Sequence, residues 1–145
     1  MIADYMSPTV HSVGKGQSLA TAHELMRTSQ IRHLPVLDGG KLVGILSLRD
    51  LHLVETLPDV DPMKVAVEDA MTEDVYSVKK TDDLRDVARH MAENKLGSAI
   101  VLERNKVIGV FTTIDALRAL ADSLADERAD PSPAPREAHD LPKTA

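Results

Sequence analysis

Lys41-Leu42-Val43-Gly44-Ile45-Leu46-Ser47-Leu48-Arg49-Asp50 reads as a short apolar strand running into the first turn of a helix. A near copy stands 65 positions later, as Lys106-Val107-Ile108-Gly109-Val110-Phe111-Thr112-Thr113-Ile114-Asp115. Outward from this pair, the same offset aligns Asp4 with Asp69, Met6 with Met71, Val10 with Val75, Leu19 with Leu84, Met26 with Met91 and Val36-Leu37 with Val101-Leu102. Residues 4–50 and 69–115 share 13 identities in 47 pairs without a gap. Self-similarity at one fixed period marks a structural repeat.

Each copy carries the same succession of signals. Val10-His11-Ser12-Val13 and Val75-Tyr76-Ser77-Val78 are β-prone stretches between turn residues. Leu19, Ala22, Leu25, Met26 and Ser29 fall at helical spacing, as do Leu84, Val87, Ala88, Met91 and Ala92, with Thr81 as the expected N-cap of the second set. Strands are expected at residues 33–37 and 98–102, tight turns at Asp38-Gly39-Gly40-Lys41 and Glu103-Arg104-Asn105-Lys106, then strands at 42–46 and 107–111 and helices from Ser47 and Thr112. Pro35, lacking an N–H, implies an edge or strand-start position. The reading is α+β, two βαββα units packed through their sheets about a pseudo-two-fold axis. The units are expected at 1–55 and 68–125, with a two-proline linker at 56–67 and a proline-rich, disordered tail at 126–145.

A unit of about 50 residues buries too little surface to stand alone, so the two must share a core. With one Phe, two Tyr and no Trp, that core has to come from Leu, Val, Ile, Ala and Met. The formal net charge of −6 opposes binding to nucleic acid or to anionic membranes. No cysteine is present, which excludes disulfides and thiolate chemistry. No apolar run is long enough to span a bilayer and no basic-then-apolar leader opens the sequence, so a cytoplasmic location is expected.

The chemistry concentrates in the pattern G-x-x-[S/T]-x-x-D, present once per copy. A hydroxyl (Ser47, Thr112) and a carboxylate (Asp50, Asp115) one turn apart share a face at a helix N-terminus, where spare N–H donors and partial positive charge lie. A carboxylate there suits a vicinal diol such as a ribose edge, and the hydroxyl and free amides suit a phosphate. The same spacing is also a capping box, and the two roles are compatible. Six histidines show no recognisable zinc spacing, so no metal is expected, and no nucleophile–base arrangement points to an enzyme.

Beyond the two G-x-x-[S/T]-x-x-D stretches, the signature includes Asp4-Tyr5-Met6-Ser7-Pro8, its echo Asp69-Ala70-Met71-Thr72, and Ile31-Arg32-His33-Leu34-Pro35-Val36-Leu37-Asp38. Together these resemble a tandem pair of cystathionine-β-synthase-type (CBS) domains, a Bateman module, over about residues 3–121. The resemblance implies a stand-alone regulatory sensor without a cofactor. Its ligand would be an adenine nucleotide (AMP, ADP or ATP) or S-adenosylmethionine, and it would act on a separate, unknown target protein, with homodimerisation expected. Ser47, Asp50, Thr112 and Asp115 would hold ribose or phosphate, while Val10, Val75, Ile31 and Leu96 would flank the base. Arg32 and His33, matched in copy two by Gly97-Ser98, would give the Asp50 cleft its preference for a phosphorylated ligand. A ligand-independent dimerisation and docking module is the alternative.

Overall fold

The computed structural model describes residues 1–8 and 11–129. In the first copy, β2 (Val13–Gly14), α1 (Leu19–Ser29), β3 (His33–Asp38), β4 (Lys41–Ser47) and α2 (Leu48–Glu55) follow in order. The second gives β5 (Ser77–Lys79), α3 (Leu84–Glu93), β6 (Ser98–Glu103), β7 (Lys106–Thr112) and α4 (Thr113–Ala129). Each hairpin turns on two residues with positive φ, Gly39 and Gly40 in one copy and Arg104 and Asn105 in the other. That backbone matches the twist of the flanking strands. Copy two pays a strain penalty there that the glycines of copy one avoid. Ser18 caps α1 by accepting from the Thr21 N–H, as the spacing of its apolar residues allows. In α3 the cap is Asp83, which accepts from the Arg85 N–H, and not Thr81 as expected from sequence.

A further strand, β1 (Ser7–Pro8), does not join its own copy. It pairs antiparallel with β7, so one sheet runs β1-β7-β6-β5 and the other β2-β3-β4. The matching segment of copy two returns the exchange, for Thr72 bridges Ile45 of β4 in both directions at 2.9 Å. Short 3-10 turns at Ile2–Asp4 and Val67–Asp69 anchor the two crossings. The Ile2 N–H donates to the Asp82 carbonyl in one unit, as the Val67 N–H does to the Gln17 carbonyl in the other. Ile2 is fully buried among Val78, Val87, Ala99, Val101 and Phe111, while Val67 is fully buried among Leu19, Ala22, Leu34 and Leu46. Each copy thus lends its opening residues to the core of the other, so the two expected units, 1–55 and 68–125, interlock at their starts.

This exchange explains the motif glycines. A Cβ on Gly44 would sit 3.0 Å from the Thr72 carbonyl oxygen and closer still to Met71 Sδ; on Gly109 it would sit 2.9 Å from the Ser7 carbonyl oxygen. The glycine lets a crossing strand lie flat on the hairpin, a packing role rather than a ligand role. Pro35 also departs from expectation. It lies in β3, the middle strand of its sheet, at the point where β2 no longer pairs. Its counterpart Ile100 donates its N–H to the Tyr76 carbonyl, a bond proline cannot make, and β5 is correspondingly longer than β2.

The linker is not a free tether. The carbonyls of Val65 and Pro62 accept from the first amides of α1, Leu19 and Ala20. At the other end, α4 continues to Ala129, past the expected start of the tail at Asp126. The remainder of that expected tail, 130–145, lies outside the described residues. Among the described residues, no helix is long and apolar enough to cross a membrane.

Candidate ligand-binding cleft

Both helix tips form the cap that the sequence allowed. At α2 the Ser47 N–H donates to Asp50 Oδ2 (2.9 Å) and the Asp50 N–H donates to Ser47 Oγ (3.1 Å). This reciprocal box satisfies two helix-end donors and occupies one carboxylate oxygen. The other oxygen accepts no hydrogen bond among the described residues, and Asp50 is only half-buried. At α4 the Thr112 N–H and hydroxyl both donate to Asp115 Oδ2, at 2.9 and 3.1 Å. Ser7, carried in by the exchanged strand, donates its hydroxyl to Asp115 Oδ1 at 3.0 Å, and Arg118 stands 3.6 Å from the same oxygen. Asp115 is 1% exposed. Its carboxylate is used up by the protein.

A cavity of about 460 Å³ opens beside the Asp50 tip. Copy one contributes His33, Ser47, Arg49 and Asp50; copy two contributes Val75, Tyr76 and the run Lys95 to Ser98. Of the residues singled out from sequence, Ser47, Asp50, His33, Val75 and Leu96 thus meet on one wall or another of a single cleft. Arg32 lines an adjoining hollow of about 430 Å³ that shares His33, Ser47 and Arg49 with this cleft. The cations lining the Asp50 cleft itself are Arg49 and Lys95, accompanied by Asp74. The signal for Arg49 in the sequence is its position one residue before Asp50. Ile31 packs against the first core, Thr112 and Asp115 turn inward on Ser7, and Val10 lies outside the described residues.

His33 stands between the two tips. Burial holds its ring below the ordinary histidine range; Asp50 pulls the other way, Arg32 adds to the depression and Asp115 opposes it. A depressed value favours the neutral imidazole, which can both donate and accept a hydrogen bond at the cleft wall. Tyr76, which also lines the cleft, has its ring centroid 4.2 Å from that of His90.

The fold also gathers one group of side chains between α1 and α2. His52 and Glu55 are an i, i+3 pair on α2, and the fold brings His23 of α1 to them: the ligand atoms of all three lie within 4.8 Å of one another. The local half of this cluster was visible in the sequence, and the other half was 29 residues away.

Two βαββα units, exchanged at their openings and enclosing a cleft at a capped helix tip, define a paired-domain architecture. The family model for the CBS domain matches residues 2–54 and again 67–122, and the chain belongs to that family. Hypoxic response protein 1 of Mycobacterium tuberculosis is 25% identical over 120 residues, covering 82% of this chain and 84% of that protein. Homoserine O-acetyltransferase of Methanosphaera stadtmanae is 32% identical over 114 residues, covering 77% of this chain but 22% of the enzyme. The chain spans less than half the length of several such curated relatives. The crystal structure of CBSX2 in complex with AMP superposes with a TM-score of 0.74 at 28% identity, covering 85% of this chain and 97% of that one.

Proposed function

We propose that the chain is a non-enzymatic regulatory module that binds an adenine nucleotide in the Asp50 cleft and conveys occupancy to a separate protein. One observation carries this reading: Asp50, with one carboxylate oxygen outside its cap, lines a cavity of nucleoside size together with the apolar residues Val75 and Leu96. The carboxylate accepts from ribose hydroxyls, the apolar pair holds the base, and Arg49 with Lys95 meets a phosphate. With two cations set against Asp50 and Asp74 the rim is close to neutral, which favours a monophosphate over a triphosphate. AMP in the related CBSX2 structure supports this choice. The Asp115 tip, sealed by Ser7, stays closed to a ribose.

The test is a thermal-shift panel of AMP, ADP, ATP, adenosine and S-adenosylmethionine on the wild type and Asp50→Ala. A ligand at one hundred times its Kd adds about 2.7 kcal/mol to stability, a clear rise in Tm. AMP is expected to give it, and Asp50→Ala to lose it while remaining folded. Absence of a shift with every adenine compound sinks the reading.

A specific surface favours a homodimer as well. Ile114, Leu117, Leu120 and Leu124 are each at least half exposed along α4, an apolar stripe that a second copy would cover. If the nucleotide panel fails and sedimentation still gives a dimer, the docking-module alternative takes over.

A further inference from the structure

We propose that His23, His52 and Glu55 form a zinc site that staples α1 to α2, separate from the nucleotide cleft. His23 Nδ1 lies 2.7 Å from Glu55 Oε2, and the His23 and His52 rings meet edge-on with centroids 6.0 Å apart. The three donor atoms lie within 4.8 Å of one another. Tetrahedral ligands around Zn²⁺, with bonds of about 2.0–2.2 Å, sit roughly 3.4 Å apart, so small side-chain rotations complete the geometry. Two imidazoles and one carboxylate suit a late first-row ion such as zinc, and not magnesium or calcium, which take oxygen ligands.

The surroundings agree with this assignment. His23 and Glu55 are half-buried, so one side of the site is fixed by the packed helices. His52 is exposed and completes it from the solvent side, leaving a fourth position for water. A hollow of about 300 Å³ bounded by Ala20, Pro62 and Met63 adjoins His23 and Glu55, giving an ion a route in. The nearby cation Arg27 is held by Glu24 at 2.6 Å, which keeps its charge from repelling the metal. In the metal-free protein a proton must lie between His23 Nδ1 and the Glu55 carboxylate, since the latter can only accept. Zn²⁺ takes the place of that proton.

The competing reading is a plain surface His–Glu pair, in which His52 has no part. Zinc chloride titration by calorimetry and thermal shift, with magnesium chloride as the control ion, separates the two. The expected result is one Zn²⁺ per chain, a Tm rise of roughly 5 °C or more at saturation, reversal by EDTA and no response to magnesium. Both effects should vanish in His52→Ala, whose metal-free Tm stays near that of the wild type because the side chain is exposed, and in His23→Gln. Cobalt(II) substitution should give the strong visible absorption of a four-coordinate ion. No uptake, uptake unchanged by both substitutions, or an equal response to magnesium overturns the proposal. None of these readouts depends on nucleotide binding.

Discussion

The two helix tips begin from the same four-residue pattern and finish in different states. Asp50 gives one oxygen to its own cap and lines a cavity, whereas Asp115 has both oxygens engaged and almost no solvent contact. The pattern itself is not responsible. Ser7 reaches Asp115, while its counterpart Thr72 lines the Asp50 cleft without a side-chain bond to that acid among the described residues. Repeat symmetry therefore supplies two like helix tips, and a hydroxyl on a crossing strand accompanies the burial of one of them.

The largest test of this contrast is thermodynamic. Asp115→Ala leaves the Thr112 amide, its hydroxyl and the Ser7 hydroxyl without their acceptor in a buried place, at an expected cost of about 3 kcal/mol. Asp50→Ala removes only a half-exposed capping box, about 1 kcal/mol. Urea unfolding measures both, and equal losses would erase the distinction between the tips.

A smaller effect concerns His33, where copy two has Ser98. The folded chain holds this ring below the ordinary value of 6.5, so as pH falls past that value the unfolded chain takes up a proton that the folded one refuses. The contribution of His33 to stability is thus intact above pH 6.5 and lost on acidification. His33→Ser should show a shallower loss than the wild type between pH 7 and pH 5. Parallel curves would mean the ring is not held neutral between the acids.

The smallest effect belongs to the first strands. Pro35→Ile restores the N–H that Ile100 already uses, so β2 should lengthen towards the extent of β5. The expected gain is under about 1 kcal/mol, best seen as slower hydrogen exchange at residues 11–13. Unchanged exchange there would locate the asymmetry of the two sheets elsewhere.

Much of this architecture was legible because its signals are local. Alternating apolar residues, the Gly39-Gly40 and Arg104-Asn105 turns and the serine and threonine caps each act within a few positions, and the 65-residue offset doubled every one of them. The strand exchange left no such trace. Ser7 and Thr72 carry the same β-prone context whether they pair with their own hairpin or with the other, and only three-dimensional packing against Gly109 and Gly44 decides. For the same reason the sealing of Asp115 depends on a residue 108 positions away. Sequence marks the two tips alike and carries no signal of the difference in their burial.

The crossing of the opening segments also sets a timetable for synthesis. Ile2 and Ser7 have no berth until β7, roughly a hundred residues later, has left the ribosome. At about 5–20 residues per second that is a wait of roughly 5–20 s, during which the first half emerges with its hairpin uncovered and its leading end undocked. Assembly cannot proceed half by half; the last strand made admits the first one in.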